Sequence, residues 1–384
     1  MTHTHRLKLG FVSLAVTALA CSLPGTPTPS PSVAPPSSAD VPEATVPEPS
    51  ASPTPTIEVA AVVIGDDTVE LYRLNGTSAG TWAAPGIHWP RQGSVQTVGS
   101  TVYYLKPSTG AVAEVSATGT SDLSFTATAG LSAFTVSPDE GSIAWSTSTY
   151  TDQVVSQLWL AAIDGSGIHV ALESDPADEI AAWFALEPVA FGTDGSLVYA
   201  WQITGIGGYI LFGGHSSLYR YDPVSATTTP WAPLLSDSTG PCWNTVREDL
   251  AFAVGHCIGT DGTLAVRERN LQSGIDVAFP AFPGQGQAGA GAYSPSGQRL
   301  AYAIARGDPD AEAGQIIVRR SPDSPLAPLA SITNGYFRIL YWLDEDRLLV
   351  GGMEDGVEKV FLVGTDGVVT PLAEGPLAGW IHLP

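Results

Sequence analysis

Two short motifs match the signatures of a catalytic serine and of a nucleotide site by letter alone. Gly76-Thr-Ser-Ala-Gly80 matches G-x-S-x-G, the turn that presents a nucleophilic serine between a strand and a helix. Gly284-Gln-Gly-Gln-Ala-Gly289 matches G-x-G-x-x-G, which binds a pyrophosphate at a helix N-terminus. No helical pattern follows either motif. We therefore expect a hairpin loop at the first motif and a flexible connector between groups of strands at the second. The sequence predicts no catalytic residue.

The residue types that bind metal ions are scattered along the chain. The histidines after the first twenty residues are His88, His169, His215, His256 and His382. None has a histidine four residues away or a C-x-x-C pair beside it. The acidic segment Asp308-Pro-Asp-Ala-Glu312 lacks the spacing and central glycine of a calcium-binding loop. We predict no metal and no cofactor, although a ring-shaped fold can assemble distant ligands at its axis.

The N-terminus has the pattern of an export signal. Arg6 and Lys8 precede an apolar run that ends at Ala20 and is too short to span a bilayer. The end of this run, Ala-Leu-Ala-Cys21, resembles the lipobox of bacterial lipoproteins. That resemblance implies a signal peptide at 1–20 and a lipid anchor on Cys21. The same residues fit an Ala-x-Ala cleavage site, in which case the protein is secreted without an anchor.

Residues 21–56 form a tract rich in Pro, Ser, Thr and Ala. Such a tract has too few apolar side chains to offset the entropy lost on ordering, and its prolines keep it extended. At the rise of a polyproline helix it reaches at most about 100 Å. We interpret it as a disordered stalk that holds a folded domain, 57–384, away from the membrane.

The cysteine count agrees with export. If Cys21 carries the lipid, Cys242 and Cys257 remain, and two cysteines in an oxidising compartment usually pair. A bridge closing that loop contributes about 3 kcal/mol in the chain-entropy model. We therefore predict a Cys242–Cys257 disulfide, with two buried free thiols as the alternative.

Charge excludes one class of partner. The 384 residues contain 16 Lys and Arg against 38 Asp and Glu, a formal net charge of −22. A nucleic-acid binder needs a basic surface to neutralise phosphate, so we predict no nucleic-acid partner. Anionic lipid surfaces are disfavoured for the same reason, which leaves the lipid anchor as the contact with the membrane. We expect a monomer.

After residue 56 the chain becomes a series of short apolar runs separated by turn residues. The runs are Glu58–Ile64, Val69–Leu74, Val102–Leu105, Ile143–Ser146, Leu158–Ile163, Leu197–Trp201 and Leu348–Val350. They are four to eight residues long, rich in β-branched or aromatic residues, and several are bounded by Asn-Gly or Asp-Gly, which favour tight hairpins. No stretch has a helical period. The sequence predicts an all-β fold.

A loose repeat runs through these strands. Phe134-Thr-Val-Ser-Pro-Asp-Glu-Gly-Ser-Ile-Ala-Trp145 returns as Ala292-Tyr-Ser-Pro-Ser-Gly-Gln-Arg-Leu-Ala-Tyr302, with worn copies between and after them. A period of about 47–55 residues, four strands to a unit, indicates a β-propeller. The Ser-Pro-Asp-Gly turn resembles the WD40-like repeat of the TolB-type propeller family. The resemblance implies an exported, protein-binding propeller, or the propeller part of a larger peptidase.

Six inner strands are predicted to begin at equivalent points of the repeat, near Val98, Val136, Phe191, Val246, Tyr293 and Trp342. The first folded stretch supplies only three strands, and the last residues, Gly379–Pro384, supply one strand without a blade. We predict that the two ends pair, which completes a seventh blade and covers exposed strand edges. Six or eight blades are the alternatives.

Large aromatic residues fall in or near the connectors that lead from one blade into the next. The ones we predict to line a channel mouth and contact a ligand are Trp89, Trp183, Trp243, Tyr336 and Trp380. There they could stack on a sugar or hold an extended peptide. The alternative is that they pack as core between blades.

These observations favour a recognition or scaffolding module over an enzyme. We predict a lipid-anchored propeller on the extracytoplasmic face of the cell membrane that binds an envelope protein or a cell-wall polymer. The alternative is an extracytoplasmic hydrolase or lyase with its site at the channel mouth. That alternative needs polar residues that converge from inner strands, and the candidates are Glu187, Arg247, Glu248 and Arg338.

Overall fold

The fold is a ring of strands, and it is known from a computed structural model. The structure describes residues 58–88, 94–128, 130–150, 154–174, 184–203, 215, 217–232, 243–247, 249–258, 264–279, 286–306, 313–320, 324 and 327–383. The predicted signal peptide and stalk, Cys21 and Cys242 lie outside these residues. Within them the one helix is a single 3₁₀ turn, Ser124–Thr126. No helix of this part of the chain is long and apolar enough to cross a membrane.

The described residues contain twenty-eight strands. The first fourteen are β1 Val59–Gly65, β2 Thr68–Arg73, β3 Ser78–Ala83, β4 Val95–Val98, β5 Thr101–Lys106, β6 Ala111–Ser116, β7 Gly119–Leu123, β8 Leu131–Val136, β9 Ser142–Tyr150, β10 Val154–Ala162, β11 His169–Glu173, β12 Phe184–Phe191, β13 Leu197–Ile203 and β14 Leu218–Asp222. The others are β15 Thr227–Ala232, β16 Trp243–Val246, β17 Phe252–Ile258, β18 Leu264–Asn270, β19 Asp276–Phe279, β20 Gly286–Tyr293, β21 Leu300–Arg306, β22 Ala313–Arg319, β23 Pro328–Thr333, β24 Gly335–Trp342, β25 Arg347–Glu354, β26 Val357–Gly364, β27 Val369–Glu374 and β28 Leu377–His382.

The strands form seven antiparallel four-stranded sheets, which confirms the prediction of a seven-bladed β-propeller. Blade 1 has the order β28-β1-β2-β3, and blades 2 to 7 take four consecutive strands each, from β4–β7 to β24–β27. The first strand of a blade lies against the first strand of the next, so β28, β4, β8, β12, β16, β20 and β24 surround the axis.

The apolar core lies between the blades. Each of seven apolar clusters combines residues of two adjacent sheets around the ring. In β5, Val102 and Tyr104 face blade 1 while Tyr103 faces blade 3, because successive side chains of a strand point to opposite faces. Both faces of such a strand are buried. This explains why the middle strands read as continuous apolar runs rather than as alternating ones.

The Ser-Pro turns of the repeat connect the innermost strand of a blade to its second strand. Ser137 Oγ accepts hydrogen bonds from the backbone N–H groups of Gly141 and Ser142, at 3.1 and 2.9 Å. It donates one to the carboxylate of Asp139 at 2.6 Å. The serine thus satisfies backbone donors at the tight end of the hairpin, which is why this residue type recurs there.

The C-terminal strand closes the ring as predicted. β28 pairs antiparallel with β1, Val59 opposite His382 and Val62 opposite Gly379. The backbone N–H of Leu383 donates to Glu58 O at 2.8 Å, so the tail reaches the first described residue. Gly379 has φ +152°, and a Cβ there would collide with the side chain of Thr97 in β4. Glycine therefore permits the close approach of blades 1 and 2 at the closure.

The register of the repeat differs from the prediction. Val98, Val136, Phe191, Val246, Tyr293 and Trp342 end the inner strands rather than begin them. The described part of the G-x-G-x-x-G motif, from Gly286 onward, belongs to the inner strand β20 and not to a connector. The G-x-S-x-G motif lies at a hairpin between β2 and β3, as expected.

Candidate functional site

A cavity of about 240 Å³ lies among the inner strands of blades 2 to 5. Its walls come from β4, β8, β12 and β16 and combine apolar residues, such as Val95, Phe134 and Val189, with polar ones. Glu187 and His215 also line it and are the two ionisable residues among its described lining residues. A concave site with a few converging polar groups is the usual form of a ligand-binding site.

A bulge in β12 shapes the wall that carries Glu187. In the pairing with β13, Glu187 lies opposite Ala200 and Pro188 opposite Tyr199, but Ala190 lies opposite Val198. The register therefore shifts at Val189, and four consecutive residues, 187–190, line the cavity. A bulge of this kind redirects side chains. Proline has no backbone N–H to donate to the ladder, and a bulge is one of the places in a sheet where it is tolerated.

His215 reaches the cavity from the connection between β13 and β14. Its backbone pairs with Trp243, the first residue of β16, through an N–H···O bond in each direction at 2.7 and 3.1 Å. Trp243 also lies opposite Gly255 in β17, so His215 must occupy the other edge of β16, which faces the axis. A loop of blade 4 thus places a histidine on the inner strand of blade 5.

The two side chains meet out of contact with solvent. Glu187 Oε2 lies 3.8 Å from His215 Nδ1, and the side chains are 5% and 3% exposed. Within the described part of the chain neither of these two atoms has a hydrogen-bond partner. Burial raises the pKa of Glu187 to about 8 and lowers the pKa of His215 to about 4. At pH 7 the contact is therefore between a protonated carboxyl and a neutral imidazole rather than between two charges.

Another polar side chain of the cavity wall, Gln96, has a structural role. Gln96 in β4 donates from Nε2 to Val136 O at 3.0 Å, and its Oε1 accepts from Val136 N at 2.7 Å. Both ends of the amide are used to hold the free edge of β8. Gln96 thus joins blades 2 and 3.

The aromatic residues predicted to contact a ligand lie elsewhere. Trp243 and Tyr336 are in inner strands and are buried, at 0% and 5% exposure, in clusters between blades. Trp380 is half-buried in β28, with its ring edge-on to His382 at 5.2 Å. The structure places these three in the core or against it, and none of them lines the cavity. Trp89 and Trp183 lie outside the described residues, so their role stays a prediction.

The described polar candidates for an enzyme do not come together. Arg247 makes two hydrogen bonds to Asp249, at 2.7 and 2.6 Å, just after β16. Arg338 Nη2 lies 3.3 Å from a carboxylate oxygen of Glu358. Of these three, Glu187 alone lines the cavity, and the two arginines are engaged in ion pairs. The fourth candidate, Glu248, lies outside the described residues.

A larger cleft of about 700 Å³ lies at the turn after β20. Its arginines are engaged in contacts that hold neighbouring segments: Arg299 donates to Glu345 O, and Arg319 donates to Ser324 O. The carboxylate of Glu345 accepts from the N–H of Ser296 at 2.6 Å. Because its polar groups bond one another, we regard the axial cavity as the stronger candidate.

Metal-binding residues are few in the described ranges, where no group of three or more His, Cys, Asp or Glu side chains is close enough to hold an ion. Cys257 lies in β17, but its side chain and all of Cys242 fall outside what the structure describes. The predicted disulfide therefore stays a prediction.

No protein-family model matches the chain, and no curated protein matches it in sequence. Three solved structures illustrate the similarity in fold. An oligogalacturonate lyase in complex with manganese aligns with TM-score 0.56 and 8% identity, over 77% of this chain and 82% of that one. A puromycin-hydrolyzing peptidase of Mycobacterium tuberculosis aligns with TM-score 0.53 and 14% identity, over 83% of this chain and 53% of that one.

The third structure is TolB from Acinetobacter baumannii, with TM-score 0.45 and 13% identity, over 85% of this chain and 66% of that one. The chain thus spans slightly less than two thirds of this TolB and about half of the peptidase. TolB proteins are among the structural neighbours, as the Ser-Pro-Asp-Gly repeat predicted. At these identities the similarity establishes the fold, a β-propeller, and nothing about activity.

Proposed function

We propose that the protein is a recognition module of the bacterial cell envelope that binds part of an envelope protein or of a cell-wall polymer in its axial cavity. The chain is held on the extracytoplasmic face of the membrane by a lipid on Cys21, with 21–56 as its stalk. The observation that carries this proposal is the buried pair of Glu187 and His215 at a cavity of about 240 Å³.

The chemistry of the cavity suits hydrogen bonding to a neutral ligand. A protonated carboxyl donates one hydrogen bond, and a neutral imidazole offers both a donor and an acceptor. Sugar hydroxyls and peptide amides complement this set, and the burial of the two side chains limits competition from water. The acidic exterior, which follows from the net charge of −22, disfavours polyanionic partners.

Affinity capture tests the proposal directly. The full chain carries a tag inside the stalk, because a tag at the C-terminus would adjoin the closing strand β28. It is incubated separately with the protein fraction and the polysaccharide fraction of envelope extract, beside a Glu187→Met variant. Met keeps the length of the side chain but cannot donate the hydrogen bond of the protonated carboxyl. We expect one species to be retained by the wild type in every repeat and to fall by at least about tenfold with the variant.

The matched control is Glu374→Met, which makes the same substitution at an exposed position of β27. It should retain the ligand as well as the wild type does. Eluates without a reproducible species, or equal retention by Glu187→Met, would reject the axial cavity as the recognition site.

The second candidate function is catalysis by the same pair. A carboxyl with a raised pKa beside a neutral imidazole has the protonation states that a general acid and a general base need near neutral pH. A hydrolase or lyase acting on an envelope polymer would then lose activity with Glu187→Gln but still bind its substrate. Release of shorter fragments from the captured polymer by the wild type alone would favour this candidate over pure recognition.

A further inference from the structure

We infer that Glu187 and His215 form a binding site for one divalent first-row transition-metal ion at the axis of the propeller. The carboxylate oxygen and the imidazole nitrogen are the protein ligands, and water or an entering ligand fills the other coordination positions. The sequence alone predicts no such site, because the two residues are 28 positions apart and meet only through a loop that crosses between blades.

The spacing of the two atoms fits a shared ion. Glu187 Oε2 and His215 Nδ1 are 3.8 Å apart. With metal–ligand distances of about 2.1 Å, this separation corresponds to an angle of roughly 130° at the metal. An ideal tetrahedral angle needs about 3.4 Å between the two atoms, so a movement of a few tenths of an ångström completes the geometry.

The burial of the two atoms is a second, independent observation. Each side chain is at least 95% buried, and neither Oε2 nor Nδ1 has a hydrogen-bond partner among the residues that the structure describes. A buried polar atom without a partner costs about 1–3 kcal/mol. Both residues line the cavity, and an ion bound between the two atoms would satisfy both lone pairs at once.

The ligand types select the class of ion. One imidazole and one carboxylate suit Zn²⁺, Mn²⁺ or Co²⁺, whereas Ca²⁺ and Mg²⁺ prefer oxygen ligands alone. The cavity of about 240 Å³ has room for the several waters that a site with two protein ligands requires. When the ion binds, the carboxyl proton of Glu187 passes to solvent and the imidazole stays neutral.

Both ligands are held by regular structure. Glu187 is in the middle of β12, paired with β13, and the backbone of His215 is fixed by two hydrogen bonds to Trp243. The two side chains therefore start from fixed backbone positions, and this favours a defined site over loose surface binding.

The test uses the full chain, stripped of metal by a chelator that is then removed. Calorimetric titration with Zn²⁺ and with Mn²⁺ should show one ion bound per chain, and thermal unfolding should move upward as the site fills. Affinity should fall by at least about tenfold in Glu187→Gln and in His215→Gln. The Glu374→Gln control, which makes the same substitution at an exposed position of β27, should bind as the wild type does, and Mg²⁺ should compete poorly.

The inference is overturned if the wild type shows no saturable binding, or if both variants retain it. Should a variant fail to fold, as judged by its circular dichroism, spin-echo spectra of the wild type with Mn²⁺ decide instead: coupling to one imidazole nitrogen supports the site, and its absence rejects it. The inference rests on the cavity of the proposed function, but the two proposals can fail separately. If the metal titration shows no binding and metal-free protein still captures an envelope ligand, the metal site is rejected and the recognition site is retained.

Discussion

Replacing Glu187 by Gln should stabilise the propeller at alkaline pH and have little effect at acidic pH. Burial raises the pKa of Glu187 from 4.5 to about 8. The folded protein therefore holds this proton while the unfolded chain releases it. For a carboxyl with a raised pKa, stability is fully present below pH 4.5 and is lost as the pH rises toward 8. Glutamine imitates the protonated carboxyl in shape and cannot ionise.

The size of the effect follows from the pKa difference. The shift from 4.5 to about 8 is about 3.5 units, which at 1.36 kcal/mol per unit gives an upper limit of about 5 kcal/mol. Between pH 5 and pH 7 the free energy of unfolding of the wild type should fall by about 2.5 kcal/mol relative to that of the variant. For a domain of this size that corresponds to roughly 5 °C or more in Tm. His215 is present in both proteins, so its own contribution to the pH dependence cancels in this comparison.

Urea unfolding of both proteins from pH 5 to pH 9, with a chelator present to keep metal away from the cavity, measures this difference. Glu374→Gln, at an exposed position, is the control and should follow the wild type at every pH. If the wild type and Glu187→Gln differ by a constant amount over the whole range, Glu187 is ionised in the folded state and the argument for a neutral pair fails.

Four other predictions follow from the same structure and sequence. Because burial lowers the pKa of His215 from 6.5 to about 4, wild-type stability should decline as the pH falls from 6.5 toward 4, and His215→Gln should remove that decline in the same urea experiment. Ile381→Ala in the closing strand, fully buried, should cost about 2–4 kcal/mol of unfolding free energy, whereas Val224→Ala, 96% exposed, should stay within about 0.5 kcal/mol. Cys21→Ser should move the full chain from the membrane fraction to the soluble fraction, and an unchanged distribution would contradict lipidation. Thiol labelling of the exported Cys21→Ser chain should detect no free cysteine before reduction and two after it, and labelling without reductant would reject the Cys242–Cys257 bridge.

The architecture could be predicted because it depends on features that repeat. Each blade needs four short strands and tight turns, so the Ser-Pro turn and the Asp-Gly hairpins recur at the blade period. Asp355 and Gly356 both have positive φ, 53° and 77°, as the tight turn between β25 and β26 requires. The unpaired strand at Gly379–Pro384 identified the closure, because a single strand left over must pair with the one incomplete blade.

The inner strand β20 was harder to place, and its composition explains why. Inner strands crowd together near the axis, and in β20 small residues replace the apolar pattern that marks other strands. It reads Gly-Gln-Ala-Gly-Ala-Gly-Ala-Tyr, and a Cβ at Gly291 would lie 2.6 Å from Val254 Cγ1 of blade 5. Glycine is required by that contact, yet in the sequence it resembles a connector. In β20 the apolar pattern therefore becomes visible only at the end of the strand, at Tyr293.

The site depends on a contact that no local pattern predicts. The sequence points to Glu187, since a carboxylate inside an apolar strand next to proline is unusual, and it places His215 among scattered histidines. Their meeting requires the β13–β14 connection to bring His215 onto the free edge of β16. That contact depends on the order of blades around the ring. A search for charged residues in inner strands finds Glu187, whereas the role of His215 can be seen only in the three-dimensional structure.

The energetics of this pair favour a role in function over a role in folding. At pH 7 the raised pKa of Glu187 removes about 3 kcal/mol that a glutamine at this position would retain. The ring does not need the pair, because its seven apolar clusters lie between the blades and Gln96 holds the edge of β8 next to the cavity. Well-packed apolar residues of similar volume are often neutral or stabilising in place of buried ionisable pairs. A binding partner, whether an ion or an envelope ligand, would recover this free energy when it satisfies the two atoms, and that gain would contribute to its affinity.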